Sequence, residues 1–342
     1  MRAARLLENR TELSLDEVPD LEPGTGSAVI RVASVFLSPY MASLVDGTEA
    51  FETPPRPFTP GMDAIGTVER VADDVSGLAV GDRVYCDSYI EEPRADGGGE
   101  YAFAACFAIS ANSGPLLARW PNGALATQMD LPAECLTRIE PALARASTET
   151  LCRLGWLGTA YAAFEKTNFQ PGQSVAVLGA TGLLGVSTVL VALALGAGRV
   201  VAVGRSEERL AAFEGLDPRI ETASAPPGAD DRVDLAISAM AGDASRPLED
   251  ALQGLKRYGT LVVLATTETP PQITGLVTRD LSVRGSLWFS RAIPARLVDL
   301  IASGELPLER IQSHTYPLNE VGAALAHSAK VLVPFEQVVI CP

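Results

Sequence analysis

Val175-Ala176-Val177-Leu178-Gly179-Ala180-Thr181-Gly182-Leu183-Leu184-Gly185 is a short apolar run that enters a glycine-rich turn. The run has the length and composition of a buried strand, and residues 183–195 have the length and apolarity of a buried helix. Each glycine has a physical task. A side chain at 179 or 182 would block a tight turn and the approach of a pyrophosphate to the backbone. Glycine at 185 lets the helix pack closely on the sheet. Free N–H groups and the helix dipole at the start of the helix favour negative charge there. No charged residue occurs from Ser174 to Gly198, but five glycines interrupt that stretch. It therefore reads as strand, turn and helix rather than a membrane span.

Downstream, strands are expected at 199–203, 233–237 and 260–265, with helices at 207–213 and 247–255. This alternation predicts an α/β fold with a doubly wound parallel sheet. An apolar strand at 281–289 and a helix at 295–303 follow. The second strand ends in Gly204-Arg205-Ser206. A carboxylate at that tip would hold the ribose 2′-hydroxyl of NAD. The arginine and serine instead offer a cation and a hydroxyl to a 2′-phosphate, which favours NADP(H). The competing reading leaves Arg205 in solvent and puts Glu207 or Glu208 on the ribose. The expected cofactor contacts are Gly179, Ala180, Thr181, Gly182, Leu183 and Leu184 in the turn, with Gly204, Arg205 and Ser206. Ser238 and Ala239, then Leu264, Ala265 and Thr266, would present backbone from later strand ends. Thr159 is a candidate for the nicotinamide amide; its alternative is a hydroxyl bonded to its own helix.

The first 150 residues are β-rich, with strands expected at 2–7, 13–18, 27–37 and 64–71 and an irregular lobe at 91–122. One helix is expected over 148–166. Two domains follow: residues 1–150 with 293–342, and residues 151–292. The 342 residues carry 27 lysines and arginines against 42 acidic residues, a formal net charge of −15. Such a surface repels a phosphate backbone, so nucleic acid is excluded as a general partner, while a local site for one phosphorylated cofactor is still allowed. The start, Met1-Arg2-Ala3-Ala4-Arg5-Leu6-Leu7-Glu8, leaves no room for the apolar core of a signal peptide. Five cysteines, none in a C-x-x-C pair, read as reduced thiols. The expectation is a cytoplasmic protein acting on a small molecule, with no membrane partner.

Pro60-Gly61-Met62-Asp63-Ala64-Ile65-Gly66-Thr67-Val68, Val75-Ser76 with Gly81-Asp82-Arg83-Val84, Asp130-Leu131-Pro132-Ala133-Glu134, Asp280–Ser286 and Tyr316-Pro317-Leu318 occur in that order. With the glycine turn, they resemble the medium-chain dehydrogenase/reductase superfamily. The resemblance implies a β-rich GroES-like catalytic domain joined to a Rossmann domain. It also implies a homodimer, because the segment at 281–286 pairs between subunits in many members. Zinc-dependent members carry Cys and His ligands where this chain has Phe36-Leu37-Ser38-Pro39-Tyr40-Met41 and Gly61-Met62-Asp63, and the lobe holds only Cys106. No metal is expected; Cys152, Asp63 and Cys86 have no spacing that supports a site. The resemblance is therefore to the zinc-free quinone oxidoreductases and enoyl reductases. It implies NADPH-dependent hydride transfer to a conjugated carbonyl or quinone. Tyr40 is the candidate hydrogen-bond or proton donor, with a packed aromatic at the cleft wall as its alternative; Asp63 would orient the substrate or accept a hydrogen bond, with a structural carboxylate as its alternative. A zinc-free reductase of ketones or imines, and a non-catalytic NADP(H)-binding protein, are the alternatives.

Overall fold

A computed structural model describes residues 1–48, 51–93, 98–139, 141–242, 244–265, 276–330 and 333–342. The chain falls into two units: Met1–Gly155 with Ile311–Val331 and Glu336–Pro342, and Trp156–Arg310 with Leu332–Phe335.

In the first unit, β1 (Arg2–Leu6) and β2 (Leu13–Glu17) form an antiparallel pair. The main sheet uses β3 (Ser27–Phe36), β4 (Ala64–Val71) and β5 (Arg83–Cys86). A small sheet contains β6 (Tyr89–Pro93), β7 (Gly99–Phe103) and β8 (Phe107–Ala108). Then come β9 (Gln128–Pro132) and β10 (Leu136–Arg138). Its helices are α1 (Met41–Asp46), α2 (Gly114–Arg119) and α3 (Thr148–Leu151). The ten-residue β3 is the spine. It is antiparallel to β4 and β9 and meets the last strand of the chain. Apolar side chains on both of its faces are buried, as a strand covered on two sides requires.

The second unit begins within α4 (Leu154–Glu165) and contains β11 (Ser174–Leu178), α5 (Leu183–Ala194), β12 (Arg199–Val203), α6 (Glu207–Leu210), β13 (Ile220–Ala223) and β14 (Val233–Ser238). It continues through α7 (Ser245–Gln253), β15 (Leu255–Val263), α8 (Leu276–Arg279), β16 (Ser282–Gly285) and α9 (Ile293–Ser303). The strand order is β13-β12-β11-β14-β15-β16, and every pairing is parallel. This is the doubly wound order, which reverses direction between β11 and β14. All five residues of β11 are buried. In α5, Leu184 to Ala192 are buried without a break, so the uncharged stretch is a strand and helix enclosed by protein. No helix among the described residues is long and apolar enough to cross a membrane. The chain returns to the first unit through β17 (Gln312–Pro317), α10 (Val321–Ser328) and β18 (Glu336–Cys341).

The structure corrects several expectations. The lobe at 91–122 contains β7, β8 and α2, and β6 runs into it. Tyr-, Phe- and Ala-bearing strand pairs hold it, a pattern too short to show against its glycines. The helix expected over 148–166 is two helices. The apolar strand expected over 281–289 shrinks to the four residues of β16, all exposed at the sheet edge. Residues 293–310 group with the second unit, not the first. There α9 buries Ile293, Leu297 and Val298, Arg296 pairs with Glu165 on α4, and Arg310 donates to the Ala212 carbonyl at 3.4 Å.

Gly185 is the tightest point of the α5–β11 packing. A β-carbon there would lie 2.1 Å from the Gly179 carbonyl oxygen. Gly185→Ala is expected to destabilise the protein by about 1–3 kcal/mol through forced backbone displacement. Gly322 lies in α10, and a β-carbon on it would meet nothing within 4 Å. Gly322→Ala is expected to stabilise by about 0.5–1 kcal/mol. Denaturant unfolding of both variants checks the opposed signs.

Candidate functional site

The strand ends of the second unit converge through backbone hydrogen bonds. Ala180 N–H donates to the Val203 carbonyl (3.0 Å), Ala239 N–H to Leu178 (3.0 Å), Leu264 N–H to Ser238 (2.9 Å) and Gly204 N–H to Ala223 (3.0 Å). Gly179, Ala180, Gly204, Ser238, Ala239 and Leu264 therefore share one edge, and Ala265 follows Leu264. Thr266 lies outside the described residues. Gly179 has φ +74°, and a β-carbon on it would meet Met240 Cγ at 2.9 Å. Gly182 is the N-cap of α5 and, having no side chain, makes no side-chain cap hydrogen bond, so the start of α5 carries the helix dipole without a Ser or Asp cap. Arg205 is exposed. Ser206 caps α6, accepting from Arg209 N–H at 3.3 Å. Thr159 is buried inside α4; beside it, a β-carbon on Gly158 would collide with the Phe289 ring at 2.6 Å.

Arg209 is overlooked by the sequence reading. Its Nη2 donates to the Thr181 carbonyl at 2.8 Å, which brings a second cation to the glycine turn. A signal for it exists: Ser206 as N-cap puts Arg209 at the third helical position, back beside the strand tip.

In the first unit, Tyr40 and Asp63 stand in one neighbourhood. Tyr40 precedes α1, and its hydroxyl donates to the Met62 sulfur at 3.1 Å. A thioether is a weak acceptor. The Ser38 hydroxyl is buried and makes no well-formed hydrogen bond. Burial, with the Cys106 and Asp63 acids nearby, pushes the Tyr40 phenol above its ordinary pKa, and Ser38 pulls weakly the other way. Asp63 has left-handed backbone, φ +56°, and its side chain is buried. It accepts from the Tyr85 hydroxyl at 2.7 Å. Burial pushes its pKa up to about 7, against the Tyr85 hydrogen bond, which lowers it. The carboxyl lies against the first turn of α4, where a β-carbon on Gly155 would be 2.4 Å from Asp63 Oδ1. Tyr85 is likewise overlooked; only its inward register on β5 marks it. Elsewhere in this unit, Arg153 is fully buried and reaches the Glu336 carbonyl and Gln337 Oε1, each at 3.4 Å. Burial pushes its pKa down to about 9.

Residues 24–141 match the alcohol dehydrogenase GroES-like domain. A probable zinc-binding alcohol dehydrogenase of Mycobacterium tuberculosis is 27% identical over 318 residues, covering 89% of this chain and 79% of the relative. A 2-methylene-furan-3-one reductase of Solanum lycopersicum is 29% identical over 272 residues, covering 77% of this chain and 60% of the relative. Among solved structures, an alcohol dehydrogenase from Thermus sp. ATN1 superposes with a TM-score of 0.78 at 27% identity, covering 100% of this chain and 99% of that one. In these matches the chain resembles members of the medium-chain dehydrogenase/reductase superfamily. These relatives are named as dehydrogenases and a reductase, and a dehydrogenase of Sinorhizobium meliloti with the same fold (TM-score 0.80, 21% identity, covering 100% of this chain and 99% of that one) is bound to NADP.

The glycine turn suits the diphosphate of such a cofactor, because Gly179 and Gly185 occupy places a β-carbon would fill and α5 is uncapped. The residues do not suit the catalytic zinc of zinc-dependent superfamily members. Among the described residues, no three His, Cys, Asp or Glu side chains are grouped to hold a metal. Asp63 is engaged by Tyr85. Cys152 donates to Ser34 Oγ at 3.2 Å, and burial pushes the Cys86 and Cys152 thiols up.

Asp63 yields a pH test. Its native pKa, about 7, exceeds the ordinary 3.8, so the native state holds its proton more tightly than the unfolded chain does. The stabilisation is fully present below pH 3.8 and is lost as pH rises to about 7. Asp63→Asn is expected to flatten that fall by up to about 1.4 kcal/mol per pH unit. Unfolding free energies of both proteins from about pH 4 to 8 check it; parallel curves would contradict the assignment.

Proposed function

We propose that this protein is an oxidoreductase of the medium-chain dehydrogenase/reductase superfamily, a zinc-independent, NADPH-dependent reductase of conjugated carbonyls or quinones. The observation that carries the reading is the Tyr40 hydroxyl. It is held against a thioether and near a buried serine hydroxyl, in the segments where zinc-dependent members carry ligands. The Solanum lycopersicum relative, named as reducing a methylene-furanone, supports a conjugated ketone as substrate.

A reduced nicotinamide dinucleotide, when bound, supplies a hydride. The turn from Gly179 through Ala180, Thr181, Gly182 and Leu183 to Leu184 receives the diphosphate at the start of α5. Arg205, Ser206 and Arg209 receive the ribose 2′-phosphate as charge-assisted donors. Gly204, Ser238, Ala239, Leu264 and Ala265 offer backbone to the sugars, and Thr159 lies on the nicotinamide side. Tyr40 donates to the substrate carbonyl oxygen, where negative charge grows during reduction. Its raised pKa keeps it protonated at neutral pH, so it acts as donor and then as proton source. Asp63, engaged with Tyr85, holds the 62–63 turn under Tyr40. The same reading takes the protein as a cytoplasmic homodimer. The exposed edge strand β16, with Val283 40% exposed, supports the pairing, and the free cysteines among the described residues suit a reducing compartment.

NADPH oxidation over a panel of enones, quinones and simple ketones is the direct test. Turnover of enones or quinones is expected to survive dialysis against a chelator and to gain nothing from added zinc. Loss of activity on chelation, restored by zinc, would overturn the metal-free reading. Tyr40→Phe is expected to lower kcat about 100-fold; an unchanged kcat removes Tyr40 as donor.

The cofactor preference is tested separately. Arg205→Ala is expected to raise the KM for NADPH about 10- to 100-fold, with little change for NADH. Equal effects on both cofactors would remove Arg205 from the 2′-phosphate.

A further inference from the structure

The chain has ten phenylalanines, and three of them gather beside Tyr40. Phe107 packs edge-on to the Tyr40 ring, with centroids 5.7 Å apart and planes at 81°. Phe51 lies 4.7 Å from Phe107 and 6.4 Å from Tyr40. Phe103 backs Phe107 at 5.2 Å and leads to Tyr89 at 5.4 Å. Phe103 is buried, whereas Tyr40, Phe51, Phe107 and Tyr89 are only half-buried. An array whose base is packed and whose outer rings reach solvent is a surface, not a closed core.

The backbone holds this array in place. Phe103 and Phe107 are register partners in the β7–β8 hairpin, whose turn contains Ala105 in left-handed conformation, φ +57°. Ala108 N–H donates to the Glu52 carbonyl at 2.8 Å, which clamps the Phe107 strand to the Phe51 segment. Two distant parts of the sequence thus present rings to one place. Two polar groups stand at the Tyr40 end of the array. One is the phenol, facing a sulfur at 3.1 Å. The other is the Ser38 hydroxyl, 2% exposed and without a well-formed hydrogen bond.

We propose that the lobe built from β6, β7 and β8 is a specificity element. With Phe51, it forms an aromatic wall that selects carbonyl substrates bearing an aryl or extended planar conjugated group. This rests on Tyr40 being the donor to the substrate oxygen. The wall then fixes what lies on the other side of that carbonyl: an aryl group stacks on or meets the edge of Phe107 and Phe51, and a small alkyl group leaves them wet. A weakly engaged phenol at one end and aromatic faces at the other suit a ligand with one hydrogen-bond acceptor and an apolar plane.

The test uses the full chain with NADPH and two enones of equal reactivity class: 4-phenylbut-3-en-2-one and but-3-en-2-one. Phe107→Ala and Phe51→Ala are expected to raise the ratio of KM for the phenyl enone to KM for the small enone by about tenfold. A ratio that stays within about twofold overturns the proposal. Phe107→Leu keeps the apolar volume and removes the ring, so it decides the matter if the alanine variant does not fold. If the wild type reduces neither enone, the functional reading fails, and the wall is judged by calorimetric titration with 4-phenylbutan-2-one. Binding that Phe107→Leu weakens upholds the wall, and no binding to the wild type overturns it.

Discussion

The Gly179 carbonyl and Gly185 approach so closely that only hydrogen fits between them, and the nucleotide half of the protein is arranged around that contact. It brings the start of α5 onto the tip of β11. It requires Gly179 to turn with positive φ, and it leaves Gly182 at an N-cap that offers no side-chain acceptor. A helix end left in that state costs stability in isolation. On the proposed reading, a cofactor diphosphate docked at this end would offset that cost. The neighbouring strand tips are tied to β11 by Ala180, Ala239 and, one strand further, Leu264. These ties spread the geometry of one glycine pair across four strands.

The catalytic half is organised by hydrogen bonds. Asp63 is a buried carboxyl that accepts from a phenol, and Arg153 is a buried guanidinium facing carbonyl and amide oxygens. Burial, against the Tyr85 hydrogen bond in the case of Asp63, makes each residue favour its own neutral form more than usual. Gly155 admits the Asp63 carboxyl to the start of α4 because it has no side chain. The Met62–Asp63 turn is thereby fixed from two directions, and Met62 in turn faces Tyr40. Hydrogen bonds and close packing thus set the geometry of this turn.

The second unit is more legible in the sequence than the first, for a physical reason. Strands buried on both faces read as continuous apolar runs, and β11, β12 and β14 stand out in this way. The glycine turn is local, so its residues are contiguous. By contrast, β13 carries Glu221 and Thr222 outward and has no such signature. The lobe strands β7 and β8 are short and joined by a tight turn, and their meaning lies in which rings they bring to Phe51. That pairing spans distant sequence and leaves no periodic trace. Tyr40 and Asp63 can be singled out from the motifs they interrupt. Tyr85 and Arg209 are harder to single out, because each acts through a contact made only on folding.

The cysteines have a consequence for chemical durability. Cys86, Cys106 and Cys152 are fully buried, and burial holds their thiols protonated. Electron-poor alkenes alkylate thiolates readily and thiols slowly. Under the proposed function such alkenes are met at every turnover, and an accessible thiolate would be a route to self-inactivation. Here Cys106, the thiol whose charge would bear on the phenol, is sheltered from the reagent and disarmed as a nucleophile. Under that function, the protection of these three thiols from reactive electrophiles follows from the core packing itself.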